Sequence, residues 1–469
     1  MKKRILSLLL ALLMCLTMFP ASSVLASDEL VTATENEDWS FQDLLKGTYY
    51  GIFPSSWTDV DITDSITQGQ LRLLLSKARV KILDTEYVTE NPDTIYRFSK
   101  EITVEKVLEA YYEMLSGMTF TSDIGTKGKT ALEFMKENGI YTGQKGEQKL
   151  TDICTLEQAC VVSARIVTYV YDKLDAASKG FLWVTKSGGN TVYMLGTVHV
   201  ASSDIYPFSQ DMVDAYESSD ALVGEINLFD IEGAYNMTLL AVYADGTTLK
   251  DHISEETYNK VITLCAKYGY PEEIISMYKP WFVYTLLGSI SYTNDGDAEA
   301  AAENASMGID MFFLTDAYLN GKTIKEIEGY EFQGKMLDSF SPELQEYLLN
   351  NTVDEINEGI TTKSNASSLI LEMYLELWKA GDVESFLEYT VTDDTQTSDM
   401  DAKELELSKE FNDKLLTQRD KGMADYIDNL LKAEGNATYF VIVGSAHYIS
   451  DHSVLDILKE KGYEITQIK

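Results

Sequence analysis

The chain is poor in histidine and cysteine, the residues that most often bind metals or form cross-links, with four of each among its 469 residues. Cys154, Cys160 and Cys265 are the three cysteines beyond the N-terminal leader, and an odd number at irregular spacing is not a disulfide framework. The spacing also lacks the Cys-x-x-Cys pair of structural zinc sites. We therefore expect the three cysteines to be small core residues, and one disulfide between two of them is the alternative.

Positive charge is scarce as well, because 38 lysines and arginines face 75 aspartates and glutamates, which gives a formal net charge of −37. Binding to nucleic acid or to an anionic membrane needs a basic surface, so this balance argues against both partners. The sequence also has no Gly-x-Ser-x-Gly elbow, no His-Glu-x-x-His helix and no phosphate-binding loop. The sequence therefore contains no motif that would indicate a serine hydrolase, a zincin or a nucleotide-binding enzyme.

Long apolar runs are confined to the start of the chain. Residues 2–4 are basic, residues 5–19 are apolar, and Val24 and Ala26 are small residues placed for cleavage before Ser27. This is the pattern of a signal peptide over residues 1–26. The run is shorter than the about 20 residues of a membrane span, and no later run reaches that length. We expect an exported chain, secreted or at the cell surface, with no transmembrane span after signal removal.

The hydrophobic pattern changes near residue 180, from helical periodicity to strands that alternate with helices. Strands are expected over residues 181–186, 191–200, 221–228, 439–444 and 463–467. A largely helical stretch over about residues 254–433 separates the early strands from the late ones, with exposed loops at 294–303 and 392–401. The fold class predicted is mixed α/β: a domain over 181–469 with a mixed sheet from both chain ends and a large helical insertion, preceded by a small helical domain over 27–180.

A weak repeat marks the first domain. Thr67, Thr103 and Thr155 each precede an apolar helical pattern and are suited to cap it, and Gln70 and Gln158 complete capping boxes. With these capped helices, residues 41–175 resemble S-layer homology modules. That resemblance implies a cell-wall polymer as partner, and a plain helical accessory domain is the alternative.

Two segments resemble each other more closely. Residues 193–199 and 440–447 are both apolar runs that end in Gly-x-x-His, and they place His199 and His447 at the ends of predicted strands. Sites in α/β proteins are built at strand ends, and imidazole is the commonest metal ligand in proteins. Gly196 and Gly444 are expected to let the chain turn tightly after each strand. The two histidines either converge on one metal ion or are hydrogen-bonded core residues.

Glu225 lies in the apolar segment 221–228, where an unpaired buried carboxylate is costly. It is the natural third metal ligand, and the alternative is a strand-end carboxylate that reaches solvent. Two histidines and one carboxylate leave open coordination positions, as a catalytic metal requires. Arg419 is a candidate to stabilise an oxyanion or to grip a substrate carboxylate, and a surface ion pair is its alternative.

The remaining polar candidates are weaker. Glu328 and Gln333 stand five residues apart on a predicted helix, and they either face the site or solvate a surface. His252 and His452 lie in polar segments, where histidine is usually a surface residue.

Residues 181–469 resemble the TraB/GumN family, which is related to the Tiki metalloproteases. The matching segments are 195–199, 205–207, Glu225, 279–281, 308–310, 327–333, 378–382, Arg419 and 443–447. The resemblance implies that His199, Glu225 and His447 hold a divalent metal ion, manganese or cobalt with zinc as the alternative. It also implies that Glu225 is a ligand or general base and that Arg419 is a supporting cation. The family often has Asn after this Arg, so Asp420 is expected to pair with Arg419.

Three hypotheses about function follow. The first is an exported metal-dependent hydrolase, a metallopeptidase with a peptide or protein substrate, that uses the two Gly-x-x-His motifs and Glu225. The second is a non-catalytic protein that binds or sequesters peptides on the same fold. The third is a binding protein attached to the cell wall through its N-terminal domain.

Overall fold

The computed structural model describes residues 39–54, 57, 60–90, 101–143, 149–363, 366–391 and 400–469. The predicted signal peptide and most of the predicted loop at 392–401 lie outside these residues. The chain divides into two compact units, an N-terminal unit of Asp28–Ser178 with Ser203–Gln210 and a C-terminal unit of Lys179–Ser202 with Asp211–Lys469. No helix within the described ranges is long and apolar enough to cross a membrane.

The N-terminal unit is mainly helical. Its elements are α1 (Phe41–Tyr49), α2 (Gln68–Leu83), β1 (Val88–Glu90), α3 (Val104–Ser116), β2 (Met118–Phe120), α4 (Ala131–Glu137) and α5 (Leu156–Leu174). Strands β1 and β2 form an antiparallel pair. Leu71, Tyr111 and Val167 contribute to a core of fully buried side chains from α2, α3 and α5.

The predicted helix caps of this unit are confirmed. The side chains of Thr67, Thr103 and Thr155 each accept a hydrogen bond from the backbone N–H three residues on, and Gln70 and Gln158 complete the capping boxes. The starts of the three helices are also linked to one another through Cys154. The N–H of Ile66 donates to the carbonyl of Cys154, and the N–H of Cys154 donates to the carbonyl of Ile102. Cys154, Cys160 and Cys265 are free and buried, as expected for core residues.

A short segment from the middle of the chain completes the N-terminal unit. Ser178 Oγ donates a hydrogen bond to the carbonyl of Ile205 at 2.6 Å, and Lys81 Nζ donates to the carbonyl of Ser203 at 2.6 Å. The ring of Tyr206 packs against that of Tyr49 with 5.1 Å between their centroids. The segment is therefore part of this unit's core, although the chain on both sides of it belongs to the C-terminal unit.

The C-terminal unit is a mixed α/β domain, which confirms the predicted fold class. Its first elements are β3 (Phe181–Ser187), β4 (Asn190–Thr197), α6 (Gln210–Glu217), β5 (Ala221–Gly224), α7 (Ile231–Leu240), α8 (Glu255–Lys267), α9 (Glu272–Ile275), α10 (Pro280–Gly288), α11 (Ala298–Ser306), α12 (Ile309–Leu319) and β6 (Thr323–Glu326). The rest are α13 (Gly329–Asp338), α14 (Pro342–Thr362), α15 (Ala366–Ala380), α16 (Val383–Val391), α17 (Ala402–Asn412), α18 (Gln418–Lys432), β7 (Thr438–Gly444), α19 (Ala446–Ile449), α20 (Val454–Glu460) and β8 (Ile465–Ile468).

Six strands form one sheet in the order β6-β5-β7-β4-β3-β8. The strands β6, β5, β7 and β4 run parallel, and β3 pairs antiparallel with both β4 and β8. The sheet therefore draws on both ends of the domain, with the helical insertion between them, as the pattern predicted.

Two local expectations are wrong. Residues 323–326 form the edge strand β6 inside the stretch that was predicted to be helical, because a four-residue, largely exposed edge strand has no apolar alternation to reveal it. Residues 298–306 form helix α11 where a loop was expected, and the side chain of Asp297 caps that helix by accepting hydrogen bonds from the N–H groups of Glu299 and Ala300.

The parallel register brings three strand ends together. Thr197 of β4 pairs with Gly444 of β7, and Val223 of β5 pairs with Val441 of β7. The carboxyl ends of these neighbouring strands therefore meet at one edge of the sheet, which is where ligands bind in open α/β folds.

Neither motif glycine uses the left-handed backbone that would require glycine at a tight turn, although the chain does turn into α19 directly after Gly444. Gly196 lies within β4 and Gly444 is the last residue of β7, and neither is among the described glycines with positive φ. Gly196 instead allows a close approach, because a Cβ there would lie 2.8 Å from Ser445 Oγ and 3.0 Å from Ser445 Cα.

Candidate active site

His199 is held by a buried carboxylate. It follows β4 by two residues, and its Nδ1 hydrogen-bonds Oδ2 of Asp310 at 2.5 Å. Thr197 Oγ1 donates to the other oxygen of Asp310 at 2.5 Å, so strand β4 itself fixes this carboxylate. Asp310 stands in the first turn of α12, whose entry is tied to the His199 loop by a hydrogen bond from the N–H of Ile309 to the carbonyl of Val198.

His447 is held in the same way. It lies in α19, the single turn after β7, and its Nδ1 hydrogen-bonds Oδ1 of Asp420 at 2.5 Å. Both residues are buried, with side-chain exposures of 0% for His447 and 1% for Asp420. The expected pair of Asp420 with Arg419 is not formed: adjacent residues on a helix point in different directions, and Asp420 is turned to His447.

Glu225 follows β5 directly and does not reach solvent, since its residue is 3% exposed. Its Oε1 accepts a hydrogen bond from the N–H of Gly444 at 2.7 Å, and its Oε2 accepts from Arg419 Nη2 at 2.6 Å and from Gln333 Nε2 at 3.1 Å. The carboxylate is therefore joined both to the end of β7 and to a buried cation.

Arg419 is a buried ion-pair centre and not a surface residue. Its Nε and Nη2 donate to the two oxygens of Glu328 at 2.8 and 2.9 Å, and its Nη1 donates to the carbonyl of Leu415 at 3.3 Å. Together with the bond to Glu225, every nitrogen of the guanidinium has a protein acceptor. Gln333 donates to both carboxylates, so the two residues left open by the sequence face this site.

The two histidines differ in electrostatic surroundings. Burial lowers the pKa of His199, but the charge and hydrogen bond of Asp310 more than offset this, and the pKa is raised from its ordinary value. Burial, followed by the charges of Arg419 and His199, lowers the pKa of His447 well below its ordinary value. Burial raises the pKa of Asp420 to about 8.

In each imidazole, the second ring nitrogen is not hydrogen-bonded to a described residue. His199 Nε2 and His447 Nε2 are buried side-chain atoms that have no hydrogen-bond partner among the described residues. A carboxylate on Nδ1 is the arrangement that orients metal-ligating histidines in proteins. In the described part of the chain, however, no group of three or more His, Cys, Asp and Glu side chains has the arrangement of a metal site. The two imidazoles have the donor chemistry that a metal needs, while Glu225 is already engaged by three hydrogen bonds.

The structure adds residues that the sequence did not single out as partners. Asp310 lies 111 positions beyond His199 in the sequence. Asp420 was expected to pair with Arg419 and not with a histidine. The one available signal was an acidic residue in the first turn of the apolar helix α12. The other two histidines, His252 and His452, are exposed, as predicted.

A protein-family model matches most of the C-terminal unit. The model described as the TraB/PrgY/gumN family matches residues 181–467, which is more than half of the chain. That range contains every residue of the site described above.

Similar curated proteins are distant in sequence. A metalloprotease TIKI homolog of Nematostella vectensis is 21% identical over 320 residues, which are 62% of this chain and 67% of that protein. The metalloprotease TIKI1 of Danio rerio is 21% identical over 318 residues, 61% of this chain and 62% of that protein. The uncharacterised protein YbaP of Escherichia coli (strain K12) is 22% identical over 276 residues, 59% of this chain and 90% of YbaP.

The chain thus spans about two thirds or less of the length of the TIKI proteins that it matches. No solved structure matches it.

Proposed function

Since the chain belongs to the TraB/PrgY/gumN family, we propose that its C-terminal unit is a metal-dependent peptidase of an exported protein. Relatives that are named metalloproteases support a hydrolase with a peptide or protein substrate. The single observation that carries the proposal is the pair of buried imidazoles, each with Nδ1 on a carboxylate and Nε2 without a partner.

His199 and His447 would hold the ion through Nε2, and Glu225 would join them through a lone pair that its hydrogen bonds leave free. Manganese or cobalt is favoured and zinc is the alternative. When bound, such an ion polarises a scissile carbonyl and lowers the pKa of water to about 7. Asp310 and Asp420 orient the two imidazoles, and Arg419 neutralises Glu225 and Glu328.

Arg419 is therefore proposed as a positioning residue. Four of the five N–H groups of its guanidinium already donate to acceptors on the protein, and these bonds fix Arg419 on Glu225 and Glu328. Glu225 is a ligand first in this proposal, and the general base is its alternative role.

The reaction is addition of water across a peptide bond: the water oxygen bonds to the carbonyl carbon, the C–N bond breaks, and the amine leaves with a proton from water. The test uses residues 27–469 and a mixed peptide pool, after chelation and after return of manganese, cobalt or zinc. We expect cleavage that needs metal and disappears in His199→Ala. His252→Ala is the matched control, because His252 is exposed and bonds only Thr247 among the described side chains.

Metal-independent cleavage, or a folded chain that cleaves nothing with any of the three ions, would reject the peptidase. In the second case, calorimetry of the same peptides against the metal-loaded chain would show whether the protein sequesters peptides without cutting them.

We also propose that the N-terminal unit binds a cell-wall polymer. The support is that the Thr-capped starts of α2, α3 and α5, one from each repeat, are joined side by side by backbone hydrogen bonds. Sedimentation of residues 27–469 with purified wall should remove the chain from solution, and wall stripped of its secondary polymers should not. The full mature chain is needed because residues 203–210 belong to this unit.

A further inference from the structure

One buried hydroxyl beside the site has no partner. Tyr448 is 2% exposed, and its Oη makes no hydrogen bond to any described residue. A buried hydroxyl without a partner is destabilising, so such a group calls for an explanation. The only other unpartnered side-chain atom on α19 is Nε2 of His447, the next residue.

The position of Tyr448 is fixed by the fold. Its N–H donates to the carbonyl of Ser445 at 2.9 Å, in the turn that leaves β7. Its ring packs against Trp183 of β3 with 5.5 Å between centroids, which holds the phenol against the sheet. Tyr448 follows His447 directly on the single turn α19, which places the residue beside the candidate site. Burial, followed by the charge of Glu225, raises the pKa of Tyr448 well above its ordinary value.

We propose that Tyr448 is a catalytic residue whose hydroxyl donates a hydrogen bond to the carbonyl oxygen of the peptide bond that is cleaved. This inference rests on the proposed peptidase function. As the water oxygen bonds to the carbonyl carbon, the electron pair of the C=O bond moves to its oxygen, and the hydrogen bond from Tyr448 strengthens. The phenol keeps its proton throughout, because the amine takes its proton from water.

The proposed role of Tyr448 is stabilisation of the oxyanion, a role for which Arg419 was the candidate in the sequence. Four of the five guanidinium N–H groups donate to Glu225, Glu328 and the carbonyl of Leu415, whereas the Tyr448 hydroxyl donates to no described residue. A preorganised donor aimed at developing charge is worth most where water is excluded, and every side chain of this site is buried or nearly so.

The experiment compares manganese-loaded wild type, Tyr448→Phe and Tyr111→Phe on the peptide of the pool that wild type cleaves fastest. Phenylalanine removes only the hydroxyl, and Tyr111 is a buried tyrosine of the N-terminal unit that serves as matched control. We expect kcat of Tyr448→Phe to fall about 10²–10³-fold, the usual effect of losing one oxyanion donor. KM, manganese affinity and Tm should not change, and Tyr111→Phe should cleave at the wild-type rate.

Wild-type kcat in Tyr448→Phe would overturn the proposal and leave the peptidase intact, since the hydroxyl would then bind only a buried water. A joint loss of manganese affinity and Tm would overturn it too, by showing a structural role.

If wild type cleaves no peptide, the peptidase fails, and a second readout still decides about Tyr448. Inorganic phosphate, a tetrahedral oxyanion, is titrated into the cobalt-loaded chain and followed by the visible spectrum. Weaker phosphate binding by Tyr448→Phe at equal cobalt affinity would support the donor, and equal binding would overturn it.

Discussion

The two histidine motifs look like copies in sequence, but the structure gives them different surroundings. Asp310, which holds His199, is itself held by Thr197, whereas Asp420, which holds His447, has no second side-chain hydrogen bond among the described residues. The pKa of His199 is raised and that of His447 is lowered, the latter partly by the positive charge of Arg419. A repeated motif can thus supply equivalent ligands while the two halves of the site differ in charge and in support.

The largest expected effect, on the free energy of unfolding, comes from removing Arg419, the cation whose charge makes the surroundings of the two histidines unequal. Arg419→Met leaves Glu225 and Glu328 buried without their partner, and breaking such a pair typically costs about 3–5 kcal/mol of unfolding free energy. Urea unfolding measures it. Lys421→Met is the matched control, since Lys421 is 74% exposed and pairs only at the surface with Asp425. An Arg419→Met chain as stable as wild type would mean that the ion-pair network does not support the fold.

Removal of either imidazole tests whether the halves act together. His199→Ala and His447→Ala should each reduce manganese affinity more than the about 10–100-fold that an outer-shell change costs. His447→Ala should also be the less stable variant, because Asp420 then loses its one side-chain partner while Asp310 keeps Thr197. Calorimetry and urea unfolding give the two values, with His252→Ala as control. Equal metal affinity in one variant would show that its histidine is a core residue only.

The carboxylates behind the imidazoles sharpen the comparison further. Asp310→Asn and Asp420→Asn should each weaken manganese binding by about 10–100-fold without removing a ligand. The loss should be greater at Asp310, because its amide would also have to satisfy the hydroxyl of Thr197. Manganese titration of both variants decides this, and a greater loss at Asp420 would contradict the assigned support.

The smallest effect concerns the glycine of the first motif. Gly196→Ala would place a methyl group 2.8 Å from Ser445 Oγ and 3.0 Å from Ser445 Cα. Overpacking of this kind typically costs about 1–3 kcal/mol, which urea unfolding would register. Gly422→Ala, at a helical position with open space around it, is the matched control and should stabilise α18 by up to about 1 kcal/mol. No loss at Gly196 would show that the two strand ends can separate.

The sequence predicted the parts of the fold that have strong local patterns. The strands predicted over 181–186 and 439–444 are found as Phe181–Ser187 and Thr438–Gly444, and the capped helices of the N-terminal unit begin where Thr67, Thr103 and Thr155 predicted. These elements are long or capped, so a few neighbouring residues suffice to specify them.

What the sequence could not supply is the pairing of distant residues. His199 and Asp310 are brought together by the entry of α12 onto the end of β4, and Glu225 and Gly444 by the register of β5 on β7. Tertiary register decides such contacts, and no local pattern encodes it. The role of Gly196 was misjudged for the same reason, since its need for space arises from Ser445, a residue far along the chain that follows β7.

The helix that carries Arg419 contains one further feature with a consequence. Between α17 and α18, Asp413–Thr417 form a π-helical turn, which holds one residue more than the α-helix on either side. Each α-helical residue turns the chain by about 100°. Deleting one residue from this turn would therefore rotate α18 by about 100° about its axis relative to α17. Arg419 and Asp420 would then no longer face Glu225 and His447. In evolution, one inserted residue of this kind changes the direction in which a whole helix face points. A protein with this fold can therefore gain or lose its buried cation through one insertion or deletion.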